Sequence, residues 1–176
     1  MKLNILALVV AAGFMSNAFA VSPEAGKGQI KFTGSIIESP CSITPGTSNQ
    51  NIQLGQISAT ALKDGGKSTP VTFQIDLEKC DTTALTKGVT ATFTGPASAS
   101  NADLLGITGS AKGASIVLTD GAGTPIKFGT ATAPQLIMDG GNTLVFSAYL
   151  QGDAGDTAVI TPGEFTSIAN YALSYQ

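Results

Sequence analysis

Gln29-Ile30-Lys31-Phe32-Thr33-Gly34-Ser35-Ile36-Ile37 alternates apolar and polar residues along most of its length. A β-strand turns successive side chains to opposite faces, so Ile30, Phe32, Gly34 and Ile36 share one face and Lys31, Thr33 and Ser35 the other. One face of this segment therefore wants an apolar groove. Gly34 interrupts that face where a larger side chain is expected; a glycine weakens a strand and often marks a close approach by another backbone or side chain. Two readings fit: the first strand of the chain's own sheet with an incidental glycine or bulge, or a strand shaped for a different surface. The residues just before it, Val21 to Lys27, are polar and broken by Pro23 and Gly26.

Further upstream, Lys2, the apolar run Ile5 to Met15 and Ala18-Phe19-Ala20 read as a secretory signal peptide over residues 1–20, with mature numbering from Val21. The apolar run is shorter than the roughly 20 residues that span a bilayer. Export to an oxidising compartment bears on Cys41 and Cys80, the 2 cysteines of the chain, which read first as a disulfide. Neither a Cys-x-x-Cys spacing nor a second ligand cluster points to a metal or a redox role.

Downstream, short alternating runs rich in Val, Ile, Thr and Phe recur between Gly, Asp, Asn and Pro clusters, the pattern of an all-β, antiparallel sandwich. The expected strands are Asn51 to Gly55, Val71 to Glu78, Val89 to Thr94, Ser115 to Thr119, Ile126 to Phe128, Thr143 to Leu150 and Thr166 to Tyr175. Asp120-Gly121-Ala122-Gly123 is expected to close a hairpin, and Asp139-Gly140-Gly141-Asn142 to turn the chain before Leu144. Gly95 to Ala114 reads as a long surface connection with one helical turn near Asp103 to Leu105. At the C-terminus, Phe165, Ala169, Tyr171, Leu173 and Tyr175 share one face by the period of two, with Ser167 as a polar interruption. The sequence stops while still a strand, so one sheet edge is expected to stand open for pairing with another chain.

Composition removes several functions. With 0 His, neither a Ser-His-Asp nor a Cys-His nucleophile can be assembled. The acidic pairs Asp76 with Glu78 and Asp153 with Asp156 lie among solvated or turn residues, and Asp153-Ala154-Gly155-Asp156 lacks the ligand density of a calcium loop. No catalytic residue, cofactor or metal is expected. With 9 basic against 12 acidic residues there is no basic stripe, so nucleic acid is not an expected partner.

The ordered set of motifs resembles the major subunits of chaperone–usher pili, the type 1 and P fimbrial pilins. The residues that carry the likeness are Ile-Lys-Phe-Thr-Gly-Ser-Ile-Ile at 30–37, Ser-Pro-Cys-Ser-Ile at 39–43, Leu-Gly-Gln-Ile at 54–57, Leu-Glu-Lys-Cys-Asp around Cys80, Gly163 and the penultimate Tyr175. The resemblance implies an incomplete immunoglobulin-like β-sandwich over 39–176 that lacks its last strand, preceded by an N-terminal extension, 21–38, that serves as a donor strand for another subunit. It implies that Ile30, Phe32 and Ile36 insert with Gly34 as the donor glycine, that Cys41 and Cys80 form the pilin disulfide, and that Gly163 and the strand bearing Phe165, Ala169, Tyr171, Leu173 and Tyr175 form the edge that pairs with chaperone and donor in turn.

The partners so implied are other copies in a head-to-tail filament, a periplasmic chaperone, an outer-membrane usher, and minor pilins or a tip adhesin, with the product a fimbria at the cell surface. A minor adaptor subunit fits the same motifs. A monomeric secreted carbohydrate-binding sandwich fits the composition, and differs in keeping residues 29–37 in its own sheet. The absence of Trp and the single-domain length argue against a receptor-binding tip protein.

Overall fold

A computed structural model describes residues 26–155 and 159–176; the signal peptide and Asp156 lie outside the described residues. The chain divides into two units, Met1–Ile37 and Glu38–Gln176. In the first, residues 26–37 form no strand, and 28–37 make no backbone hydrogen bond among the described residues. The own-sheet reading of residues 29–37 therefore does not describe this structure.

The second unit contains β1 (Ser42–Ile43), a helical turn (Pro45–Ser48), a kinked 3-10 segment (Ala59–Gly65), β2 (Val71–Cys80), β3 (Val89–Thr94), β4 (Leu105–Gly106), β5 (Thr108–Gly109), β6 (Ala114–Asp120), β7 (Pro125–Ile126), β8 (Gly140–Gly152), β9 (Phe165–Thr166) and β10 (Asn170–Tyr175). One sheet runs β1-β2-β8-β6-β4, with β7 added on β6; β3 pairs with β10 and β5 with β9. Every pairing is antiparallel.

Alternation builds the core. Phe73 and Ile75 of β2 stand opposite Phe146 and Leu144 of β8, so large side chains from both strands stack on one face of the sheet. Phe146 is fully buried, with the Phe73 ring stacked against it at 5.7 Å and Phe93 of β3 meeting it edge-on at 5.1 Å. The second layer is thus held to the first through Val89, Ala91 and Phe93, all buried. Buried polar side chains are satisfied: the Ser115 hydroxyl lies 2.6 Å from that of Ser98, and no buried side-chain polar atom among the described residues lacks a partner.

The hairpin after β6 forms as its residues dictate. Asp120 Oδ1 accepts from the N–H groups of Ala122 and Thr124 at 3.0 and 2.8 Å, and Gly123 takes φ +84°. Gly140 likewise takes a positive φ where β8 begins. Near its end β2 carries an irregularity between Leu77 and Cys80, with Lys79 at φ 52°; the extra turn of the backbone presents Cys80 to Cys41, and the two form a disulfide.

Four expectations are corrected, the first being that the strand expected over Thr166 to Tyr175 is two, β9 and β10, with no strand at 167–169. Asn51 to Gly55 is no strand, because it has no backbone neighbour on either side. Gly95 to Ala114 is more than a surface connection: Leu105 is buried, β4 pairs with β6 and β5 with β9, and near Asp103 the chain makes a turn closed by Leu104 N–H on the Asn101 carbonyl instead of a helix. The strand expected over Ile126 to Phe128 is confined to Pro125–Ile126, since the Phe128 N–H is taken by the Asp103 carbonyl.

Candidate functional site: an open groove beside the C-terminal strand

Between the two layers lies an apolar trough in two continuous parts, about 660 Å³ and about 950 Å³, which share Asn51, Ile52, Leu54, Ile116 and Ser167. Its floor is core that no strand covers: Phe73, Ile75, Phe93, Leu105 and Leu118 in the first part, Leu62, Ile107, Leu150 and Ile160 in the second.

One wall is the C-terminal segment. β10 pairs with β3 in the register Tyr171↔Phe93, Leu173↔Ala91 and Tyr175↔Val89, and has no strand on its other edge among the described residues. β9 is held to β5 by Phe165↔Gly109, and between the two strands the Ser167 hydroxyl donates to the Gly106 carbonyl at 2.7 Å. Ser167, the polar interruption of the apolar face, thus supplies a donor where β-pairing lapses.

The other wall is the extended stretch 49–57. Gln50 anchors its start by donating to the carbonyls of Thr47 and Gln74, both at 2.8 Å. From Asn51 to Ile57 no backbone N–H or C=O is hydrogen-bonded among the described residues. The trough is therefore flanked on one side by a run of backbone groups without partners among the described residues and on the other by the open edge of β10, the condition under which an added strand gains most. At one end the Tyr171 hydroxyl reaches the Ser48 carbonyl at 3.4 Å and links the walls.

Of the residues singled out by sequence, Gly163, Phe165, Ala169 and Tyr171 line the trough. Ala169 is exposed because the trough is open. Leu173 and Tyr175 continue the same face beyond it and pack, half-buried, against the core. Burial raises the pKa of both Tyr171 and Tyr175 above the ordinary phenol value, with the neighbouring Tyr175 adding to the effect at Tyr171. Gly163 is required by close packing: a Cβ there would overlap the Ser110 hydroxyl and come within 2.7 Å of the Ala111 nitrogen.

The floor and the 49–57 wall were not marked as site residues by the sequence. The signals for the wall are the spacing of Ile52 and Leu54, which pointed to a strand, and the motif Leu-Gly-Gln-Ile at 54–57, which carried the resemblance without a role.

The arm, described by itself, presents the complementary feature. Ile30 and Phe32 are 78% and 87% exposed and Ile36 is fully exposed, while a Cβ added at Gly34 would meet nothing within 4 Å. Gly34 is thus not demanded by anything among the described residues.

The model of the fimbrial protein family matches residues 30–176. Fimbria A protein of Serratia marcescens is 55% identical over the full length of both chains. The major MR/P fimbria protein of Proteus mirabilis is 52% identical, again over all of both. Among solved structures, a chaperone–usher pilus whose structure bears on rod uncoiling superposes with TM-score 0.78 at 32% identity, covering 89% of this chain and 100% of that one. The P pilus rod subunit PapA does so with TM-score 0.70 at 34% identity, covering 78% and 100%. The open trough is thus the gap of an incomplete immunoglobulin-like sandwich, and the chain belongs to the fimbrial protein family, a structural subunit of a chaperone–usher pilus carried on the bacterial surface.

Proposed function

We infer that this subunit polymerises by exchanging strands, its own residues 29–37 filling the trough of the next copy while its trough receives the arm of another. The observation that carries this is the open trough itself, apolar on its floor and lined on both sides by backbone groups able to pair. Its C-terminal wall from Gly163 to Tyr171 is nine residues long, as is the arm from Gln29 to Ile37. Burying Ile30, Phe32 and Ile36 contributes about 1.5–3 kcal/mol for each side chain, to which the backbone pairs add. Donor and acceptor surfaces differ, so the contact is head-to-tail and propagates as a filament.

In this reading residues 21–38 are the donor extension and 39–176 the accepting domain. A periplasmic chaperone shields the trough before assembly and an outer-membrane usher exports the subunit, since an open groove and the exposed Ile30, Phe32, Ile36 and Ile168 invite aggregation. The role is structural, with no catalytic step.

The test is Gly34→Leu. The substitution has room in the free arm, so the domain should fold and still accept a synthetic peptide of residues 29–37, yet the variant should fail to donate and no fibres should be seen by negative-stain microscopy. Fibres of normal length from Gly34→Leu overturn the donor assignment.

A further inference from the structure

Segment 134–139 holds two large apolar side chains in water. Leu136 and Met138 are 84% and 74% exposed, while Ile137 between them packs on the core. Their exposure is built in by the surrounding bonds. Gln135 exchanges two backbone hydrogen bonds with Val89 at 2.9 and 2.8 Å. Asn142 grips Met138 from both sides, accepting its N–H at 2.9 Å and donating to its carbonyl at 2.7 Å. Asp139 is bound by Thr82. A rigid segment that keeps two such groups wet marks an interaction surface.

The occupant follows from the tether of the arm. Leu136 and Met138 lie at the end of the sandwich that holds the Cys41–Cys80 disulfide, since Cys80 pairs with Gly140 and Val89 with Tyr175. Residue 38, where the arm joins the domain, belongs to this end: the Pro40 carbonyl accepts from the N–H of Asp81, the residue after Cys80, at 3.0 Å. Three residues, 38–40, separate Ile37 from the disulfide-fixed Cys41. A fully extended chain covers at most about 14 Å over those four steps. The disulfide end of a donating copy is therefore held close to the point where its arm leaves the acceptor.

That point is set by polarity. Every strand pair in the fold is antiparallel, and an arm laid antiparallel to the wall 163–171 ends with Ile37 beside Gly163. There the rim is formed by Lys112, Thr161 and Pro162, and Val159 stands exposed two residues before Thr161. The opposite seating would bring two disulfide ends together and copies would not follow in line.

We propose that Leu136 and Met138 of each donating copy pack on the 159–162 rim of the copy that receives its arm, a second contact between successive subunits. It rests on the strand-exchange reading, and its test separates the two. Full-length protein carrying Leu136→p-benzoylphenylalanine is assembled into fibres, irradiated and mapped by mass spectrometry, alongside a control with the photo-reactive residue at Ile30. The expected result is an intersubunit link from position 136 to residues 159–162, lost on Val159→Gly, and a link from position 30 to the trough. A trough link from position 30 with no link, or a link elsewhere, from position 136 overturns the second contact and leaves strand exchange standing. Loss of the position-30 link overturns both. The variant Leu136→Asp with Met138→Asp keeps the claim testable without the probe. Both side chains are exposed, so the subunit should fold and exchange strands normally while its fibres lose bending stiffness in electron micrographs; unchanged stiffness counts against the contact.

Discussion

Asp139 accepts two hydrogen bonds from Thr82, one from the backbone N–H and one from the hydroxyl, both at 2.7 Å, and Asp81 is bonded in the same way by Thr83. These bonds favour the ionised carboxylates and hold both pKa values below the ordinary 3.8. A depressed native pKa contributes stability that is present above the unfolded value and is lost as pH falls through the native one. Asp139→Asn should therefore lower stability at neutral pH and flatten its acid dependence, read as the guanidinium midpoint between about pH 5 and pH 2; an unchanged acid limb would show that the Thr82 bonds do not count. The sequence pointed to Cys41 and Cys80 as a pair, and they are bonded. It had no means of assigning Asp139 to Thr82, because 57 residues separate them and only the fold brings the two loops together.

The C-terminal segment shows what periodicity carries at the level of an element. Its alternation was legible, and Tyr171, Leu173 and Tyr175 do turn inward while Ala172 and Ser174 face out. Gly163 was recognised by its spacing alone; its physical reason, the approach of Ser110 and Ala111, depends on residues more than fifty positions away and is invisible in one dimension. Gly163→Val should force β9 from β5 at a cost of about 1–3 kcal/mol, the usual penalty of overpacking, and appear as a lower midpoint in guanidinium unfolding. A midpoint equal to that of the native chain would remove close packing as the explanation for the glycine. For residues 51–55 the period-two pattern was present but the strand was not. A strand is defined by its neighbour, and here the neighbour is missing.

For the molecule as a whole, the fold class and the family motifs were legible because alternation and turn chemistry agree along the chain. The missing last strand was implied by the resemblance, but the residues of the trough's floor were not legible, since they are assembled from β2, β3, β4, β6, β8 and the stretches between them. The Cys41–Cys80 bond closes a loop with a sequence separation of 39. Replacing both cysteines with serine should cost about 2–5 kcal/mol, measured as equilibrium unfolding of the domain with the 29–37 peptide bound; a smaller loss would mean that residues 42–79 are already ordered in the unfolded reference.

The position of that bond has a mechanical side. In a fibre built by strand exchange, tension enters each subunit through residues 38–40 and reaches Cys41. The disulfide passes it directly to Cys80, the end of a central strand paired with β8, so the segment 42–70 that precedes this strand is spared the load. At the other junction the pull runs along the lent strand, and its backbone bonds are sheared together instead of being unzipped one after another. A covalent bypass in series with a sheared strand is the arrangement that a thread exposed to drag requires.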